Sequence, residues 1–392
     1  MSILANTLSQ GTYNANIILS LVGATSNSIT VPVTLTVGPS QTVSASPTSL
    51  SFAYTITGSA PASQKITVTS TGGSVAFTVG STTTGSATGW LSTDITKGNT
   101  PMDINVSVNP QGLAAGTYQG SVSISAPTVL SAPITVPVQF VVSPAPTPQP
   151  TVVRNAASFT ATYISAGELV SIFGTNLGPT TPASFKLNSS GGVDNTLAGV
   201  QVLFNGNPGT PLYVSPTQIN VIVPWEINGQ TSANMVVSFN SIQSAPLNLS
   251  VQTQSPGLFT FTGTGQGQVA ATNQNGTYNG ASGQGFATAP QGSVIAVYGT
   301  GGGQTTPPGT TGSVTPIPQN ASGLLKIPGT ITATIGGQPA TVEFAGGAPG
   351  LVTGVFQINI QVPTGVSGSS LPLTVTINGA TANNISATVA VQ

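Results

Sequence analysis

GTYNANIILSLVGATSNSITVPVTLTV (residues 11–37) and GTYQGSVSISAPTVLSAPITVPVQFVV (116–142) are two versions of one phrase. Tyr13 aligns with Tyr118, and the run 29–32 with 134–137, each 105 positions apart without a gap. In the first version apolar side chains recur at every second position: Ile17, Leu19 and Leu21, then Ile29, Val31, Val33, Leu35 and Val37. That spacing is the mark of strands with one buried face. A period of about one hundred residues is the size of one β-sandwich. The complete copy starts near VSASPTSLSF (43–52), which projects the start of the first copy to about sixty residues before Met1. Residues 1–40 are therefore expected to be the last two strands of an incomplete sandwich, and their apolar rows to need cover from elsewhere.

Composition supports a chain built of strands. Charged residues are 3% of 392, against about 25% in ordinary soluble domains. Gly (48) and Pro (31) are abundant, as many short strands and tight turns require. No run approaches the roughly 18 apolar residues of a spanning helix, so membrane insertion is not expected. Lys65, Lys97, Arg154, Lys186 and Lys326 are too scattered to form a basic stripe, so neither is a nucleic-acid partner.

A second repeat fills the remainder. ELVSIFGTNLG (168–178) parallels SVIAVYGTGGG (293–303), and QINVIVP (218–224) parallels QINIQVP (357–363). The offset widens from 125 at Phe173/Tyr298 to 139 at Asn220/Asn359, which assigns inserted residues to the Gly/Pro/Thr stretch 301–323. Between the two repeat families lies SPAPTPQP (143–150), whose four prolines favour an extended spacer. The fold expected is all-β, tandem immunoglobulin-like β-sandwich domains. Its parts are the incomplete unit 1–40, a complete sandwich 41–142, the linker 143–150, and two copies of a second sandwich at 151–253 and 254–392.

Leu-x-x-Gly-x-Tyr, at 8–13 and 113–118, resembles the tyrosine corner of Greek-key sandwiches, in which the hydroxyl bonds back to the backbone. Trp90, in GWLS (89–92), reads as a core residue. Residues 43–142 resemble the BACON family of bacterial immunoglobulin-like domains through SPTSLSF (46–52), GWLS and LAAGTYQGSVSIS (113–125). The family name implies carbohydrate binding, but no binding residue carries over. Residues 151–392 look like the uncharacterised C-terminal domain of large secreted acidobacterial proteins. The carrying stretches are NAASF (155–159), ISAGELVSIFGTNLG (164–178), LYVSPTQINVIVP (212–224), SPGLFT (255–260) and APGLVTGVFQINIQVP (348–363). That resemblance implies secretion and no known activity.

Chemistry is limited by what is missing. With no His and no Cys, Ser–His–Asp and Cys–His catalysis and His- or Cys-based zinc sites are excluded. Six carboxylates remain: Asp94, Asp103, Glu168, Asp194, Glu226 and Glu343. Glu168 and Glu226 could form a glycosidase pair, but the second repeat has Ser293 and no acid at the matching positions, so surface acids are the better reading. No calcium loop occurs, and the glycine runs 263–268 and 299–303 precede no helix, so no cofactor or metal is expected. An isopeptide bond would need a buried lysine, for which Lys65 is the candidate. Trp225, whose counterpart is Thr364, is the candidate ligand-stacking ring.

The expected role is non-enzymatic: an extracellular or cell-surface stalk or filament subunit. It would self-associate through sheet edges that lack guarding charge and through Ile17, Leu19, Leu21, Ile29, Val31, Val33, Leu35 and Val37. The alternative is a carbohydrate-binding or adhesion module with polysaccharide as partner. Residues 1–10 lack the basic start and apolar core of a signal peptide, so a secreted protein would be represented by a processed chain or a fragment.

Overall fold

The structure, a computed structural model, describes residues 8–392 apart from 21, 24–27, 39, 130–132, 161, 284 and 318–322. Its regular structure is β apart from one 3-10 turn at Trp225–Ile227, and it divides into two compact units, 1–145 and 146–392.

The first unit opens with an antiparallel hairpin, β1 (Gly11–Ser20) and β2 (Ser28–Val37), which forms a two-stranded sheet of its own. Nine strands follow. They are β3 (Val43–Ser46), β4 (Leu50–Thr55), β5 (Gln64–Ser70), β6 (Ala76–Thr83), β7 (Leu91–Thr93), β8 (Lys97–Asn99), β9 (Met102–Val108), β10 (Gly116–Ser125) and β11 (Ile134–Ser143). They make a sandwich of two sheets, ordered β4-β11-β10-β6-β8 and β3-β5-β9-β7. The alternate apolar positions face inward and meet in one core that includes Ile66, Ile104, Val122, Val136 and Phe140. Trp90 is buried in that core, 5.6 Å from the Phe140 ring and 6.3 Å from Tyr118. The Tyr118 hydroxyl donates to the Ala114 carbonyl at 2.8 Å, the backbone tie expected of a tyrosine corner.

The proline-rich segment straddles the division between the units. Its last two residues open β12 (Gln149–Asn155), which pairs with β13 (Leu169–Thr175). In the second unit, strands between 149 and 250 pack around one core and strands between 257 and 391 around another. The two repeats share their central register. Phe173 faces Gln218 and Ser171 faces Asn220 in the first, as Tyr298 faces Gln357 and Ala296 faces Asn359 in the second. A Gln Nε2 to Asn Oδ1 hydrogen bond of 2.8 Å recurs in both, Gln218–Asn220 and Gln357–Asn359. Each also turns a hairpin on two residues with positive φ, Asn205-Gly206 (49° and 82°) and Gly336-Gly337 (58° and 81°). Such turns match the twist of the strands they join.

Candidate functional site

β1 and β2 pair from Gly11↔Val37 to Ser20↔Ser28, and β10 and β11 pair from Gly116↔Val142 to Ile124↔Ile134, the same register 105 positions on. The complete sandwich thus shows which hairpin residues are built to face a core. Val122, Ile124, Val136, Val138, Phe140 and Val142 are at most 2% exposed. Their counterparts are Ile17, Leu19, Val31, Val33, Leu35 and Val37, and Ile29 matches Ile134. In the hairpin, Leu19 is 55% exposed, Ile29 64% and Val31 41%, while Ile17, Val33, Leu35 and Val37 are half-buried. Leu21 lies outside the described residues.

The edges differ in the same way. β10 pairs with β6 over Gly120–Ser125, and β11 pairs in parallel with β4 over Val138–Ser143. The matching stretches, 15–20 of β1 and 33–37 of β2, have no third strand among the described residues. No Asp, Glu, Lys or Arg occurs before Lys65, so no charge guards these edges.

Trp225 is not an exposed ring, which corrects the expectation from sequence. It is 8% exposed and belongs to the core of the first repeat. Two glycines, Gly167 and Gly309, lie so close to its ring that a side chain at either would overlap it. The cover comes from the inserted stretch of the second repeat. Thr311 Oγ1 accepts the Trp225 backbone N–H at 3.0 Å and donates to Glu226 at 2.7 Å, and the Gly312 carbonyl accepts the Val193 backbone N–H at 2.7 Å. The inserted residues are thus a strap from one repeat onto the other. That is why Trp225 has no aromatic counterpart at Thr364. The cavity beside the ring, lined also by Thr315, Ile327 and Phe356, holds about 20 Å³, far too little for a sugar ring.

Glu168 is sealed in the same seam. Its carboxylate accepts hydrogen bonds from Asn155 Nδ2 (2.9 Å), the Ser165 N–H (2.7 Å), Ser165 Oγ (3.2 Å) and Ser255 Oγ (3.1 Å). Burial pushes its pKa up to about 8, against the pull of those donors. With no exposed surface it cannot meet a substrate, while Glu226 lies exposed under the strap. The two do not form an open acid pair. Lys65 is 59% exposed and paired with Asp103 at 3.0 Å, so it lacks the burial an isopeptide lysine requires. Thr67 and Lys65 hold the Asp103 carboxyl below its usual range, and Asn105 does the same for Asp94. Sequence reading missed both the strap and the Glu168 cluster, although Asn155, Ser165 and Ser255 sit in NAASF, ISAGELV and SPGLFT, three of the stretches that carry the family resemblance.

Residues 42–137 match the family model for the viral BACON domain. That match covers most of the sandwich of the first unit, from before β3 into β11. Residues 156–262 match the IPT/TIG domain, an immunoglobulin-like fold that takes in the first repeat of the second unit. The likeness of 151–392 to the acidobacterial C-terminal domain stays an expectation. No curated protein matches the chain. Among solved structures, the chain is similar to Bacteroides ovatus SGBP-B of a mixed-linkage glucan utilization locus, in complex with a mixed-linkage heptasaccharide. That match has 15% identity and a TM-score of 0.27, covering 91% of this chain and 71% of the other. It is also similar to a Ca2+-stabilized adhesin with which an Antarctic bacterium binds ice (13%, TM-score 0.24, 97% and 81%) and to the human desmocollin-1 ectodomain (8%, 0.23, 97% and 65%). No function is carried across at these scores. No helix among the described residues is long and apolar enough to cross a membrane.

Proposed function

We propose that the chain is a non-enzymatic extracellular structural protein, a stalk or filament subunit that joins to a second copy through β1 and β2. One observation carries this reading. The hairpin has the inward-facing pattern and register of β10–β11, yet among the described residues no strand pairs with its outer edges, and Leu19, Ile29 and Val31 of its apolar face are exposed. A two-stranded piece is marginal in water, so cover adds stability as well as contact. The near absence of charge favours association, and polar, uncharged, Thr-rich strands suit an exported protein. Light scattering after size exclusion and negative-stain microscopy of the full chain test it. Association that grows with concentration and is lost in Val31→Asp is expected. A monodisperse monomer at high concentration would overturn it. The second reading, an adhesion module, loses Trp225 as its ring and draws instead on an exposed aromatic group in the last repeat.

A further inference from the structure

We propose that Phe261, Tyr278 and Phe286 form a stacking platform for a neutral polysaccharide, a site independent of self-assembly through β1–β2. The three rings touch one another on the surface of the last sandwich. Phe261 meets Tyr278 at a centroid distance of 5.5 Å and an angle of 73°, and Phe286 at 4.9 Å and 84°. Tyr278 and Phe286 are 5.9 Å apart and are direct partners in a parallel strand pair. Tyr278 is 53% exposed and Phe261 39%, whereas Phe77, Phe140, Phe204 and Phe356 are all at most 3% exposed. Phe185 and Phe239, which pack against the edges of their cores, are half-buried, so Tyr278 and Phe261 stand further out than either group.

The platform is held from beneath. Fully buried Asn279, next to Tyr278, accepts from Gln268 Nε2 at 2.7 Å and from the Ala390 N–H at 2.8 Å. It donates to Asn273 Oδ1 at 2.9 Å and the Ala390 carbonyl at 2.8 Å. The Phe261 N–H donates to the Gln268 carbonyl at 3.0 Å. The backbone bearing the rings is thus fixed before any ligand arrives, which lowers the ordering cost of binding.

The chemistry of the surroundings selects the ligand. From Ile227 to Leu325 there is no Asp, Glu, Lys or Arg, so the stretch that carries the rings offers no charge to a charged polymer. Exposed Thr262, Thr264 and Gln266 supply hydroxyl and amide groups instead. A pyranose ring offers weakly positive C–H groups to the negative face of an aromatic ring, and hydroxyls to neutral donors and acceptors. A neutral polysaccharide presents both in repeating form.

Native gels of the full chain cast with amylose, xylan, galactomannan or hydroxyethyl cellulose, and with alginate as the charged control, provide the test. Retardation by at least one neutral polymer and none by alginate is expected. Tyr278→Ala and Phe261→Ala should each weaken it by about tenfold. Tyr278→Phe should retain it, and Val31→Asp should leave it unchanged, which separates this site from assembly. No retardation by any neutral polymer, equal retardation by alginate, or a Tyr278→Ala chain that runs as the unaltered protein would each overturn the proposal. So would loss of self-association on Tyr278→Ala without polysaccharide binding, since the rings would then be an interface between copies.

Discussion

β1–β2 and β10–β11 share a register, a tyrosine and a mid-strand proline, yet one pair is open to solvent and the other is sealed. The Tyr13 hydroxyl reaches the Ser9 carbonyl at 2.8 Å, just as Tyr118 reaches Ala114. The corner and the pairing are thus local properties, set within about thirty residues and indifferent to the rest of the sandwich. Burial is not local. β4, β6 and the opposite sheet supply it for β10–β11, and nothing among the described residues supplies it for β1–β2.

Paired substitutions at equivalent positions put that difference to the test. Val136→Asp places an unpaired charge in a sealed core and is expected to unfold the first unit's sandwich, as seen by loss of its cooperative denaturant transition. Val31→Asp, at the matching open position, should leave that transition in place and abolish self-association instead. If Val31→Asp also unfolds the sandwich, the two pairs are not as different as their exposure says.

A pH titration separates the two units, so that each loss can be attributed. Trp90 reports on the first unit and Trp225 on the second, as the chain's two tryptophans. The folded pKa of Glu168 is raised from 4.5 to about 8. Its contribution is therefore fully present below about pH 4.5, declines as pH rises, and is gone above about 8. The second unit should lose up to about 5 kcal/mol across that window, and Glu168→Gln should flatten the loss. The transition reported by Trp90 should not follow it.

Phe140→Ala should cost the first unit about 3–5 kcal/mol in a denaturant melt. Leu35→Ala, its open counterpart, should cost less than about 0.5 kcal/mol in the monomer. The smallest effect belongs to the corner. Tyr118→Phe should cost about 1 kcal/mol, the net worth of one hydrogen bond.

The sequence made the architecture legible because its signals are local. Alternation at Ile17 and Leu19 and from Ile29 to Val37 became β1 and β2, and the 105-residue echo became two hairpins of one register. The seam was not legible. Whether Trp225 is exposed depends on Gly309 and Thr311, more than eighty residues away, and a glycine-rich insertion reads as a surface loop until it is seen to dock. Glu168 was noticed as an acid, but its burial depends on Ser255, which lies beyond its own repeat. Phe261, Tyr278 and Phe286 share no regular spacing; a turn and a parallel pairing bring them together.

β4 and β11, near opposite ends of the first unit's sandwich, run side by side in the same direction through six residue pairs, Leu50↔Val138 to Thr55↔Ser143. Tension applied between those ends drags the two strands past each other rather than peeling them apart. Every rung between them then bears the strain at once, so the sandwich resists stretching as a clamp does, where a hairpin pulled from its open end would unzip rung by rung.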